Sequence, residues 1–356
     1  MVHPYESLPE RSFWRTAVAE RAAPAITDLW TPAFALDPDE PVLTAGSCFA
    51  QHLGPALLLE GMNWYEAEPA PPGLTADERE ARGYGRFSFR TGNIYTAATL
   101  RQWLGWAFEE SAPPDDVWEE DSRFHDPYRP ALEPGGHATP DAVRDARQRT
   151  LAAIRTAVSS AGCLIFTLGL TETWTDTVTG TVHPVCPGTV RGSFDAGRHV
   201  FRNATVAEVH RDLTESVALA RRANPALKIL LTVSPVPLTA TATGAHALVA
   251  TTYSKSVLRA AAGQLAQELG HVDYFPSYEI ITGHPFQGAF YEPNRRTVSE
   301  DGVAFVMRHF FDALHGRDRP NRPDVPRTAR PDTGEEQWCD DAVLDYYNHG
   351  PVPPAR

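Results

Sequence analysis

Cysteine is scarce in this sequence, and what there is does not cluster. Cys48, Cys163, Cys186 and Cys339 are widely separated and form no CxxC pair. That spacing excludes a zinc knuckle and a disulfide framework and fits a reducing cytoplasm. Long apolar runs are missing too. No stretch approaches the roughly 18 consecutive apolar residues of a membrane span. The first residues, MVHPYESLPERSFWR, carry charge and proline where a signal peptide needs an apolar segment. A soluble, unexported, cytoplasmic protein with no membrane span is expected. Positive charge is also in deficit. The formal net charge is −13, and basic residues alternate with acids, as in Arg317-Asp318-Arg319. With no basic face to be read, nucleic acid is not an expected partner. No internal repeat is present.

What remains is the composition of a globular chain, 42% hydrophobic and 22% charged over 356 residues. Single cores stop growing near about 250–300 residues. The expected organisation is therefore one α/β domain over 39–315, preceded by an aromatic-bearing arm over 1–38. A Pro- and Gly-rich insertion over about 63–137 would roof a site, and 316–356 form a linker and tail. Periodicity and caps supply the elements. A short apolar run from Pro41 ends at Gly46, and Leu53, Leu57 and Leu58 then fall at helical spacing. Thr139 with Pro140 opens a helix. The strand Cys163 to Leu168 closes at Gly169, and Thr205 with Glu208 forms a capping box. The strand Lys228 to Ser234 ends at Pro235. A helix from about Thr252 to Leu269, a strand from Val272 to Phe275 and a helix capped by Ser299 complete the series. Within the insertion a helix is predicted near Tyr95 to Phe108. Strands apolar on both faces and separated by helices imply a three-layer α/β/α sandwich with a mostly parallel sheet, flavodoxin-like in type.

Ligands of open parallel sheets sit beyond the carboxyl ends of the strands. The first residues to inspect are therefore Gly46-Ser47-Cys48, Gly169-Leu-Thr-Glu172 and the loop after Ser234. Ser47, between a strand-ending glycine and a helix start, suits a nucleophile whose oxyanion is steadied by nearby amides. On position alone the commoner role for such a serine is a helix cap. Cys48 is the competing nucleophile. Tyr253-Ser254-Lys255-Ser256 reads as a solvated helix start, or else as an anion or sugar contact. Of the tryptophans, Trp64, Trp103, Trp106 and Trp118 suggest a sugar platform, but the i, i+3 spacing of Trp103 and Trp106 favours a core role.

Gly46-Ser-Cys-Phe-Ala50 resembles the signature of the GSCFA family. Phe87-Ser88-Phe-Arg-Thr-Gly-Asn-Ile-Tyr95, Phe166-Thr-Leu-Gly-Leu-Thr-Glu172, Cys186-Pro-Gly188, Thr232-Val-Ser-Pro-Val236 and Tyr274-Phe-Pro-Ser-Tyr-Glu279 look like its other recurrent stretches. That family is similar to the SGNH esterases and acyltransferases. The resemblance implies an acyl-enzyme on Ser47, with Gly169 and Thr171 as oxyanion donors and Asn93 as a second amide donor; a helix cap is the competing role for Asn93. The Asp-x-x-His pair of SGNH enzymes is replaced here by Asn294-Arg-Arg-Thr297. His246, in the loop after Ser234, is then the first choice of base, with His199, His284 and His183 behind it. Glu172 would orient the imidazole or act as base itself. No metal or organic cofactor is expected, an acyl-CoA being the donor if the reaction is transfer. The substrate would be an ester or acyl group of a sugar or small metabolite. Two rivals remain open: acid/base chemistry by Glu172 and a histidine, and a non-catalytic glycan-binding module.

Overall fold

The computed structural model describes residues 3–315 together with Asp340, Val343 and Leu344. The stretch 316–337 read as a linker, and Cys339, lie outside the described residues. In chain order the elements are β1 (Val42–Gly46), α1 (Leu53–Leu59), α2 (Ala76–Ala81), α3 (Ala97–Ala107), β2 (Trp118–Glu120), β3 (Arg123–His125), α4 (Pro140–Ser160), β4 (Cys163–Leu168), β5 (Glu172–Asp176), β6 (Val182–His183), β7 (His199–Asn203), α5 (Val206–Ala223), β8 (Lys228–Val233), α6 (Ala247–Glu268), β9 (Val272–Phe275), α7 (Ser277–Thr282) and α8 (Glu300–His315).

The central sheet runs β1-β4-β8-β9, all parallel. Its strands are mostly apolar because both faces are covered, and successive apolar residues enter different cores. Leu43, Ala45, Leu164, Phe166, Leu168, Ile229, Leu231 and Val233 point into one core, shared with α3, α4, α5 and α6. Val42, Cys163, Ile165, Leu230 and Phe275 point into the other, shared with α1, α7 and α8. This is the three-layer sandwich that the patterning implies. A buried Leu or Phe in such a core is worth roughly 1.5–3 kcal/mol, so alternation across two cores fixes the register of every strand.

A short connection completes the topology. Trp64 forms an isolated parallel bridge with Val42. The Val42 amide donates to the Asn63 carbonyl at 2.8 Å, and the Tyr65 amide donates to the Val42 carbonyl at 3.0 Å. The chain thus leaves β1 on one side, makes a one-bridge strand there, and crosses back to β4 on the other. The order reverses between β1 and β4, and that point is where α/β sheets bind ligands.

The caps act as the sequence predicts. Thr139 Oγ1 accepts the Ala142 amide, and Thr205 with Glu208 makes both halves of a capping box. Ser299 Oγ accepts the Gly302 amide. The arm lies on the domain. Trp30 stacks on Phe310 with ring centroids 5.5 Å apart, and its Nε1 donates to Asp273.

Three features differ from the sequence reading. The helix of the proposed insertion is core: Leu100, Trp103, Leu104 and Ala107, at i, i+3, i+4 and i+7, are buried, and α3 packs on α5 and α4. Such an apolar stripe must be covered. Trp103 and Trp106 are therefore no sugar platform; Trp64 gives its Nε1–H to Thr44 and Trp118 stacks on His183. Next, α6 begins at Ala247, five residues before the expected Thr252. Finally, β5 is the middle of a three-stranded antiparallel sheet, β6-β5-β7, where the sequence shows only polar loops.

Candidate active site at the switch point

β1 delivers Ser47 to the switch point through a backbone that only glycine allows. Gly46 has φ +135°, and a Cβ there would lie 2.4 Å from the Thr167 carbonyl oxygen. The Ser47 amide donates to that same oxygen at 2.9 Å. The side chain does not cap the helical turn that follows. It is 1% exposed, and its hydroxyl has no hydrogen-bond partner among the described residues. The competing cap reading of Ser47 is therefore set aside. Cys48, at the next position, faces away into the apolar core with Phe49 and Leu53.

The segment 88–95 is zipped along β1 and then passes over its end. The Thr44 amide donates to Ser88 Oγ, the Ser88 amide to the Thr44 carbonyl, and the Ile94 amide to the Gly46 carbonyl. Tyr95 then meets the end of β4: its carbonyl accepts the amides of Gly169 (2.8 Å) and Leu170 (2.9 Å). Gly169 touches Ser47 closely enough that a Cβ would sit 2.8 Å from Ser47 Cβ and 3.1 Å from Tyr95 Cδ1. The resemblance to SGNH enzymes made the Gly169 amide an oxyanion donor; here that amide is spent on Tyr95. The Thr171 hydroxyl is likewise spent, donating to Asn203 Oδ1 at 2.7 Å. Each group holds the strand end in shape, and neither faces a ligand.

Asn93 does come to the site. It is 1% exposed and is not a helix cap, since Thr96 caps α3. Its Oδ1 accepts from Gln51 Nε2, and its Nδ2 donates to Asp340 Oδ2 at 3.1 Å.

The structure also brings in residues that the sequence reading placed in solvent. Ser254 and Lys255 are buried, Lys255 wholly so. Ser254 Oγ accepts the Thr171 amide at 3.1 Å, and Lys255 Nζ donates to the Gly169 carbonyl at 2.7 Å. A fully buried lysine is rare, and this one abuts the residue packed on Ser47. The signal was present in the sequence: Leu258, Ala262 and Leu265 follow Lys255 at three, seven and ten residues, on the buried stripe of α6.

None of the proposed bases hydrogen-bonds to Ser47. His246 is exposed at the N-terminus of α6, where its Nδ1 accepts the Leu248 amide at 3.2 Å. Glu172, in β5, accepts from the Thr241 hydroxyl at 2.5 Å and the Ala242 amide at 3.0 Å, so it fastens the loop before α6. His284 stacks on Trp14. The Asn294 stretch is a local turn in which Asn294 Oδ1 accepts the amides of Arg296 and Thr297.

His183 and His199 lie on strands of the second sheet, with Asp176. Ligand atoms of these three buried residues lie within 4.8 Å of one another. Two of the three, Asp176 and His199, are engaged elsewhere. Burial acts to raise the Asp176 carboxyl, but Arg198 and the amides of Val178 and Thr179 outweigh it and hold it at about 2. His199 Nδ1 accepts the Asp195 amide at 3.0 Å. Its proton therefore sits on Nε2, the nitrogen that would have to bind a cation, and a metal-bound imidazole needs the reverse arrangement. His183 stacks between Trp118 and Tyr128. Burial pushes it down to about 4, with the neighbouring His199 adding to the effect; the Pro127 carbonyl opposes it without reaching bonding geometry. The trio is aromatic packing. A cavity of about 820 Å³ opens elsewhere, on the outer face of α4 among Tyr65, Tyr84, Arg90 and Arg149; none of the residues around Ser47 lines it.

No helix among the described residues is long and apolar enough to cross a membrane. Comparison with known families matches residues 41–310 to the GSCFA family. No curated protein and no solved structure matches the chain.

Proposed function

We propose, from the premise that this chain belongs to the GSCFA family, that it hydrolyses or transfers an acyl group of a sugar or small metabolite through an acyl-enzyme on Ser47. One observation carries this reading. Ser47 is a buried serine at the switch point of a parallel sheet, with a hydroxyl that neither caps a helix nor bonds to any described residue. Leaving such a group unsatisfied costs about 1–3 kcal/mol, a cost that folds tolerate chiefly where a ligand or a reaction uses the group.

In the proposed reaction Ser47 Oγ adds to the carbonyl carbon as the carbonyl π pair moves to oxygen. The tetrahedral adduct then expels the alkoxide or thiolate, which takes up the proton that serine lost. Water or an acceptor hydroxyl repeats the addition to release the acyl group. No described imidazole bonds to Ser47, and the partner assigned to this chemistry is Lys255, whose amine in its neutral form takes the serine proton and returns it to the leaving group; serine–lysine pairs run acyl transfer on unrelated folds. The rival that paired Glu172 with a histidine has less support, because Glu172 bonds Thr241 and Ala242 while His246 bonds Leu248.

The test is labelling with a fluorophosphonate, followed by peptide mapping. Ser47 is expected to carry the adduct, Ser47→Ala to abolish it, and p-nitrophenyl acetate turnover to fall with it. An unlabelled Ser47 in a folded protein that still binds acyl sugars would replace this reading with the recognition module.

A further inference from the structure

Along α4, Ala146, Arg149, Ala153 and Thr156 recur at helical spacing and share one face. Short side chains beside one long cation leave room on that face, and these four residues line the cavity of about 820 Å³ that opens there. Small-molecule sites occupy about 300–1,000 Å³. The other wall comes from 65–71 and 82–90, and it is tied to α4 by polar bonds. The Ala67 amide donates to the Ser88 carbonyl at 2.9 Å, the Arg90 amide to Glu68 Oε2 at 2.9 Å, and Thr150 Oγ1 to Glu68 Oε1 at 3.1 Å. Beneath them Arg129, ion-paired with the buried Asp126, donates to the Arg90 carbonyl and to Thr150 Oγ1. Walls fixed in this way cost a ligand little ordering.

Charge on the lining selects the ligand. Three arginines, Arg82, Arg90 and Arg149, accompany two glutamates, Glu68 and Glu133, in a chain whose net charge is −13. Both carboxylates are engaged, Glu68 by the amide and hydroxyl above and Glu133 by Arg90 at 2.6 Å. Arg90 is held further by the Arg82 carbonyl and by the Tyr84 ring, whose centroid lies 4.0 Å from its guanidinium carbon. Arg82 reaches Glu133 only at 3.8 Å. Arg149 is exposed and has no hydrogen bond or ion pair to any described residue. The lining therefore offers spare N–H donors and an uncompensated positive charge, while its carboxylates are spent. An oxyanion suits such a pair of guanidinium forks, and Tyr65 and Tyr84 add aromatic surface for a ring.

We propose that this cavity binds a small organic anion, with a phosphate or carboxylate on Arg149 and Arg82 and a ring against Tyr65, Tyr84 and the alanine face of α4. The site does not rest on the Ser47 reading, because none of the residues around Ser47 lines it.

Calorimetric titration of the full-length chain tests it. The probes are AMP, glucose 6-phosphate and glucuronate, with adenosine, glucose and inorganic phosphate as counterparts that lack the anion or the ring. At least one of the three probes should bind at millimolar concentration or below, its neutral counterpart not at all, and inorganic phosphate at least tenfold more weakly. Binding by AMP alone identifies a nucleotide site, by glucose 6-phosphate alone a sugar phosphate site, and by glucuronate alone a carboxylate site. Arg149→Ala should weaken binding by roughly ten- to a hundred-fold, the worth of hydrogen bonds to a charged group. Ala153→Trp, which fills the floor, should weaken it at least as much, and Ser47→Ala should leave it unchanged.

No binding by any of the three probes overturns the proposal. So does an affinity that Arg149→Ala leaves unaltered, or that the neutral counterpart or inorganic phosphate matches. Binding lost in Ser47→Ala would put the anion at the acyl site and overturn it too. Should Ala153→Trp fail to fold, Arg149→Glu on the exposed helix surface decides: lost binding supports the site, and retained binding refutes it.

Discussion

Gly169→Ala adds one methyl group between the two residues that define the site. The new Cβ would sit 2.8 Å from Ser47 Cβ, 3.1 Å from Tyr95 Cδ1 and 3.2 Å from the Tyr95 carbonyl oxygen. Gly169 does not have a positive φ, so alanine meets no backbone strain and the effect comes from contact alone. Relief to an ordinary separation of 3.4 Å needs a movement of about 0.6 Å. Neither neighbour yields easily: Ser47 is tied through its amide to Thr167, and Tyr95 through its carbonyl to Gly169 and Leu170. Overpacking of this kind costs about 1–3 kcal/mol, offset by up to about 1 kcal/mol from the stiffer unfolded chain. The Tm should fall by only a few degrees. Ser47, however, is displaced by more than half an ångström, and for a reacting group misplacement on the order of 1 Å costs about a hundred-fold in rate. Ser47 labelling is expected to drop between ten- and a hundred-fold in a protein that remains folded. Gly270→Ala, which meets nothing within 4 Å, is the control for the alanine itself. A Gly169→Ala rate within twofold of native, at a similar Tm, would refute the claim that this contact positions Ser47.

Further outcomes follow from other contacts. His183 is held at about 4 by burial, against an ordinary value near 6.5. The unfolded chain therefore binds this proton first, and stability is complete above about pH 6.5 and lost as pH falls towards 4. In urea unfolding, native protein should lose on the order of 3 kcal/mol more than His183→Phe across that window; equal losses would count against the assignment. Lys255→Met keeps the stem and removes the amine, so labelling should fall by about a hundred-fold or more with a Tm change of a few degrees; an unaltered rate removes Lys255 from the mechanism. Gly46→Ala faces both a positive φ and a 2.4 Å contact, and should yield little folded protein on expression. Thr205→Ala breaks a complete capping box and should cost about 1 kcal/mol by chemical denaturation, with labelling unchanged.

The sheet was legible because burial on both faces writes itself as continuous apolar runs, punctuated by Gly46, Gly169 and Pro235. The helices were legible at Thr139, Thr205 and Ser299, where caps have a chemistry of their own. The second sheet was hidden. Glu172–Asp176 mixes Thr and Trp with acids, and its partner His199–Asn203 comes more than twenty residues later, beyond the reach of local pattern. In the site, Ser47 stood out because strand, glycine and helical turn are adjacent in sequence. Lys255 was missed because the helix start was set at Thr252. With the start at Ala247 the same periodicity puts the lysine on the buried stripe. Gly169 and Thr171 misled for a different reason. Their positions were read correctly, but the Tyr95 carbonyl and Asn203 had already taken their hydrogens, and only tertiary structure reveals that. Asp340 had no sequence signal at all, since its meaning lies in a contact across 247 residues.

The crossing segment also decides how a ligand can enter. At 1% exposure Ser47 cannot meet an acyl carbon until something moves. Lifting residues 93–95 would break the Ile94 bond to Gly46 and both amide bonds to the Tyr95 carbonyl. Each is worth roughly 0.5–1.5 kcal/mol and leaves a buried group unsatisfied at a further cost. Those bonds also hold the ends of β1 and β4, so the opened wall would no longer present Ser47 in its reactive geometry.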